Sequence, residues 1–303
     1  MSRFRYIWLA ICVVILVAFV HALWTPSSPI PSPLALWNLA SPIALTPLMS
    51  NCCALSTFFI SKQDPQHGLF HKFSYKKISR YYETLRSFSD AKILIFVDFD
   101  APELPPNADI KFIQIEPWKD TMSANDKRFV IYDTFLKSNS ECNVVLMTDL
   151  FDIHFGQNPF YFFSHHQEYN MYAGIENMSR NYNSWRYNKW ISNSLCRHKI
   201  PGYENYINLK NLTSLEHHEP NFPAFNAGVV LRSRNSILLF LEKMNSCLNF
   251  GKPAFNCNMP CFSWTMFHYW KNDSVGYGKN FTSPFKKYYA AEETNFTYVI
   301  HHK

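Results

Sequence analysis

Apolar residues along the 303-residue chain fall into two spacings. Short unbroken or alternating runs mark strands at Ile93 to Val97, Ile110 to Ile115, Val144 to Met147, Met171 to Ile175, Ala227 to Leu231 and Thr297 to Ile300. Between them, apolar positions recur every three or four residues, the period of a helix face. Tyr75 to Phe88 places Ile78, Tyr81, Tyr82 and Leu85 on one stripe. Asn125 to Ser138 does the same with Phe129, Tyr132 and Leu136, with Ser123 or Asn125 as its cap. Asn235 is expected to cap a third helix, whose buried face is Ile237, Phe240, Leu241, Met244 and Leu248. Strands alternating with helices predict an α/β domain with a mixed, mostly parallel central sheet flanked by helices. The run at Val144 shows no alternation, so it should be buried on both faces, near the middle of that sheet.

The N-terminal part follows a different pattern. Arg3 and Arg5 precede Tyr6 to Leu23, which contains no Asp, Glu, Lys or Arg and is close to the length that crosses a bilayer. Arginines on that side predict a cytosolic tail at 1–5 and a lumenal remainder. We read 6–23 as one transmembrane signal-anchor; a cleaved signal peptide, with Val20 and Ala22 before the cleavage point, is the alternative. Residues 24–47 hold Pro26, Pro29, Pro31, Pro33, Pro42 and Pro47, a density that forbids a regular core and predicts a semi-rigid stalk. The folded lumenal domain is then 48–303. Five Asn-X-Ser/Thr sites, at Asn177, Asn211, Asn272, Asn280 and Asn295, agree with a secretory route and predict glycans.

Composition narrows the chemistry. The net charge of +6 is modest and no basic run is clustered, so nucleic acid is not an expected partner. There are 8 glycines and neither GxGxxG nor GxxxxGK, which excludes the Gly-rich phosphate loops. No CxxC pair exists, so a zinc ribbon is not expected. In an oxidising lumen, the group Cys247, Cys257 and Cys261 is the expected source of one disulfide, with Cys196 as a candidate partner.

Two carboxylates, Asp149 and Asp152, follow the run at Val144. Ligand sites of open α/β sheets lie outside the carboxyl ends of the strands. Paired acids there suit a hard divalent cation that also meets phosphate oxygens; a turn or a helix cap is the plain structural role for the same residues. A second acidic pair, Asp98 and Asp100, also ends a strand.

Four stretches together resemble a type II membrane glycosyltransferase of the nucleotide-diphospho-sugar transferase superfamily, with the GT-A fold. They are RFVIYDTFL from Arg128, VVLMTDLFDIHFGQNPF from Val144, FNAGVVLRS from Phe225, and YVIHHK from Tyr298. The resemblance implies a GT-A-like catalytic domain in the Golgi lumen and transfer of a sugar from a nucleotide diphosphate donor to a glycan or glycoprotein acceptor. By it, Asp149, Asp152 and His301 hold Mn²⁺ or Mg²⁺ against the donor diphosphate. His302 is the alternative third ligand, since neighbours on a strand point opposite ways. Asn226 would meet the hydroxyls of the donor sugar, Gly228 would permit close backbone approach, and Arg128 and Lys303 would lie on the nucleotide side. Lys286 is a further candidate for phosphate oxygens, and Trp185 and Trp190 for stacking or core packing.

The pattern departs from the family at Asn258, where related families often carry an Asp before a helix. Asn cannot act as a base, so an inactive carbohydrate-binding or scaffolding protein of the same fold stays open. No catalytic base is assigned; Glu176 is one of several acids available. The stretch ILIFVDFDAP resembles the aspartyl nucleophile motif of haloacid dehalogenase-like phosphatases, except that Pro102 stands where that motif has Thr or Val. A secreted phosphatase acting through Asp98 is the third reading.

Overall fold

The computed structural model describes residues 51–65, 68–101, 103–105, 108–176, 225–250, 256–270, 274–278, 281–283 and 298–302. These lie in one unit, Ala44–Lys303. The expected anchor and stalk, all five glycosylation sites, Trp185, Trp190, Lys286 and Lys303 lie outside the described residues. Among the described residues no helix is long and apolar enough to cross a membrane.

Seven strands form the main sheet: β1 (Cys52–Phe58), β2 (Lys92–Val97), β3 (Ile110–Gln114), β4 (Val144–Thr148), β6 (Met171–Ile175), β7 (Phe225–Ser233) and β8 (Val275–Gly276). Their order is β3-β2-β1-β4-β7-β6-β8. The pairings β1–β2, β2–β3, β1–β4 and β6–β8 are parallel, and β7 runs antiparallel to β4 and β6. A second sheet has two antiparallel strands, β5 (Ile153–Phe155) and β9 (Ile300–His302). The helices are α1 (Tyr75–Arg86), α2 (Ala124–Ser138), α3 (Pro159–His165), α4 (Arg234–Phe250) and α5 (Asn258–Tyr269). The fold is a mixed α/β arrangement with a mostly parallel sheet flanked by helices, compatible with a Rossmann-like fold.

β4 sits in mid-sheet with all five residues buried, as its unbroken apolar run requires. Its other neighbour, β1, escapes the sequence pattern because Ser56 and Thr57 interrupt the apolar run. Ser56 is fully buried, and its hydroxyl is satisfied by Thr148 Oγ1 at 2.9 Å and Tyr81 Oη at 3.3 Å. Thr148 Oγ1 also donates to Tyr81 Oη at 3.1 Å. This hydroxyl cluster joins α1, β1 and β4 directly beneath Asp149.

Of two expected helix caps, one is present and one is not. Ser123 caps α2 by accepting the Asp126 N–H at 3.1 Å, which decides between the two candidates. Asn235 lies inside α4 rather than at its cap; the helix opens at Arg234, whose guanidinium donates to the carbonyl of Leu136 at 2.5 Å and so ties α4 to the end of α2.

Cys53 and Cys142 form a disulfide with Cα atoms 5.5 Å apart, linking the start of β1 to the residues just before β4. The sequence reading did not find this bridge. Within the expected cysteine group, Cys257 is disulfide-bonded, whereas Cys247 and Cys261 are buried thiols.

Candidate metal centre

The sheet order reverses between β1 and β4, because chain connections run outward from each in opposite directions. Such a switch point leaves a crevice at the carboxyl ends of the two strands. A cleft of about 650 Å³ opens there, lined by Thr57 of β1 and Phe59 just after it, by Asp149 to Asp152 beyond β4, and by Asn226, Ala227 and Gly228 of β7.

Asp149 continues the β4–β7 ladder by donating its N–H to the Gly228 carbonyl at 2.8 Å. Its two carboxylate oxygens have different partners. Oδ1 pairs with the buried guanidinium of Arg128 from α2, which also donates to the Ala227 carbonyl at 3.0 Å. Oδ2 faces His302 Nε2 at 3.6 Å. The chain then turns through Leu150, whose buried side chain fixes the turn, and brings Asp152 Oδ2 to 3.7 Å from the same nitrogen. Ligand atoms of Asp149, Asp152 and His302 lie within 4.8 Å of one another.

His302 therefore replaces His301 in the expected triad. The register decides it: Ile153 pairs with His302 and His154 with His301, so the two imidazoles leave opposite faces of the small sheet. His301 stacks on His154 with ring centroids 4.5 Å apart. His302 is held instead by Ser283, whose hydroxyl accepts the His302 N–H at 2.8 Å.

The electrostatics fit a cation. Burial alone would depress the His302 pKa, but the negative charges of Asp152 and Asp149 outweigh it and raise it to about 9. Burial likewise opposes ionisation of Asp149, yet the Arg128 charge and His302 hold its carboxyl well below the usual range. Two carboxylate oxygens and one imidazole nitrogen form a donor set that could hold a metal ion. The backbone also leaves room: a Cβ at Gly228 would overlap Asp149 Oδ2 and His302 Cε1 and would sit 2.8 Å from Asn226 Oδ1.

Asn226 lies on the cleft with its amide oriented at both ends. Nδ2 donates to Glu176 Oε1 at 2.6 Å, and Oδ1 accepts the Gly228 N–H at 2.6 Å. Glu176 is buried behind Asn226, a poor position for a base acting on an acceptor. Asn258 also lines the cleft, with Oδ1 accepting the Met259 N–H at 2.7 Å. Asp98 is engaged elsewhere: Oδ1 accepts the Ile60 N–H at 2.8 Å, and Oδ2 accepts the N–H of Ser61 at 3.0 Å and its hydroxyl. Both Asp98 oxygens thus clamp the turn after β1, and Asp98 is not among the residues lining the cleft.

Sequence reasoning missed one wall of the cleft. Lys76, Lys77 and Arg80 of α1 line it together with Lys62 and His71. The signal lies on the polar side of α1, away from its apolar stripe of Ile78, Tyr81 and Leu85. Phe151, between the two acids and 42% exposed, packs its edge on Phe58 and also lines the cleft.

No protein-family profile matches this chain, and a search of curated proteins finds no match.

Proposed function

We propose that the chain is a metal-dependent glycosyltransferase with a GT-A-like domain. It would move a sugar from a nucleotide diphosphate to a glycan or glycoprotein acceptor in the Golgi lumen, held at the membrane by residues 6–23. The observation that carries this reading is the convergence of Asp149, Asp152 and the buried His302, with the two acids lining a cleft that has a cationic wall.

When bound, the cation supplies Lewis-acid stabilisation of negative charge on the leaving diphosphate. The chain's own residues do the rest. Asp149 and Asp152 would hold the cation through oxygen, and His302 through nitrogen. Arg128 takes Asp149 Oδ1 and leaves Oδ2 turned to the site. Asn226 spends one Nδ2 hydrogen on Glu176 and retains the other for a sugar hydroxyl.

The test is a panel of nucleotide sugars screened for Mn²⁺-dependent thermal stabilisation, followed by assay of released nucleoside diphosphate with the donor that stabilises. Asp152→Asn should abolish both signals. Stabilisation that persists in the variant, or in excess chelator, overturns the reading. One observation favours a second reading, an inactive carbohydrate binder of the same fold: the cleft presents Asn258 where related families carry an acid. Donor binding without nucleotide release identifies that case.

A further inference from the structure

We propose that the acceptor is itself acidic, an oligosaccharide bearing sulfate, phosphate or carboxylate groups held by Lys76, Lys77 and Arg80. This rests on the transferase reading and names the substrate class of the same cleft. The argument is one of charge. Among the described residues lining the cleft, Lys62, Lys76, Lys77, Arg80 and Arg128 are cationic, and Asp64, Asp149 and Asp152 are anionic. Arg128 is paired with Asp149, and Asp64 lies 3.3 Å from His71 Nε2. Together these eight residues carry a net charge of +2, and a divalent cation on Asp149 and Asp152 would raise it to +4. Lys62 Nζ donates to the Asp120 carbonyl at 3.1 Å; Lys76, Lys77 and Arg80 line the cleft, and none of the three is within ion-pair distance of a described carboxylate. A nucleotide diphosphate sugar brings two negative charges on its diphosphate, which leaves a surplus of positive charge for a second anionic group.

The placement of the lysines points the same way. Lys76 and Lys77 are exposed and stand in the first turn of α1, which has no acidic residue. The helix dipole disfavours cations there, so local folding does not account for the pair. Lys77 Nζ donates to the Lys72 carbonyl at 3.0 Å, and Arg80 donates to His154 Nε2 at 3.1 Å. Both side chains are thus positioned while keeping donors for anionic oxygens.

The same cations could meet the donor's own diphosphate, and the experiment separates the two sources. Binding of Mn²⁺ with inorganic pyrophosphate, of a heparin-derived hexasaccharide and of neutral maltohexaose is measured on the wild type and on K76E/K77E. The wild type should bind the acidic hexasaccharide but not the neutral one. In the double variant that affinity should fall at least tenfold, while Mn²⁺–pyrophosphate binding changes less than twofold. K137E/K243E, whose lysines do not line the cleft, should keep the hexasaccharide affinity, and K76Q/K77Q with an unchanged thermal midpoint guards against misfolding. Loss of pyrophosphate binding in K76E/K77E assigns the cations to the donor and overturns the proposal. So does hexasaccharide affinity that is absent in the wild type, unchanged in K76E/K77E or equally lost in K137E/K243E. With Mn²⁺-dependent donor binding intact, those results leave the transferase reading standing. Loss of Mn²⁺ binding would sink that reading instead.

Discussion

Adjacent histidines on β9 take opposite sides, and only one can meet the acids. His302→Ala should remove Mn²⁺ stabilisation and weaken Mn²⁺ binding at least tenfold, whereas His301→Ala should leave it within threefold, both read by calorimetric titration. Asp126 offers a test that does not involve the metal. It sits in the first turn of α2, and its Oδ2 accepts the Cys257 N–H at 3.0 Å at the start of α5. Burial raises its pKa to about 6 from an ordinary 3.8, against the hydrogen bonds it accepts and the Arg128 charge. The folded state therefore binds the proton more tightly than the unfolded chain. The stabilisation from that proton is complete below about pH 4 and is lost as pH rises through about 6. Asp126→Asn keeps an acceptor without the charge. Its stability relative to wild type should rise by on the order of 2 kcal/mol between pH 4 and pH 7, measured by urea denaturation at each pH. The acids at 149 and 152 were legible in the sequence because an unbroken apolar run pointed straight at them. The choice of histidine was not, because parity along β9 depends on its partner strand.

Elements were legible where a single period ran unbroken. α1, α2 and the buried face of α4 follow their apolar spacing, and β2, β3, β4 and β6 follow theirs. β1 was not, since its interior Ser56 is tolerated only through a hydroxyl cluster built from two other elements. β5 has three residues and β8 two, too few for any period to register. The Cys53–Cys142 bridge was equally hidden, because cysteines 89 positions apart meet only once β1 and β4 lie side by side. Closing so long a loop restricts the unfolded chain, so Cys53→Ala/Cys142→Ala should lose about 2–4 kcal/mol of stability. Mn²⁺ affinity should be nearly unchanged in whatever fraction stays folded, because the bridge lies at the amino ends of the strands and the acids at the other end of β4.

For the molecule as a whole, the cation would fasten segments that the backbone joins only through long excursions. Asp149 and Asp152 belong to the turn after β4, and His302 to a strand that follows α5 and β8. Ligand that binds only the folded state stabilises it by mass action, about 2.7 kcal/mol at a hundredfold excess over Kd. Mn²⁺ should raise the thermal midpoint accordingly and slow amide exchange at Ile300 to His302; chelator should reverse both. Failure of exchange to slow there would separate the histidine from the metal.

The first histidine of β9 would serve as a spare for the second. Ile300 pairs with Phe155 and His302 with Ile153, so adding one alanine between Ile300 and His301 would carry the first histidine into the inward place. A protein disabled by His302→Ala should recover Mn²⁺ binding when that extra residue is supplied. Two consecutive histidines thus make the centre forgiving of a slip that would empty most strand-borne ligand sets.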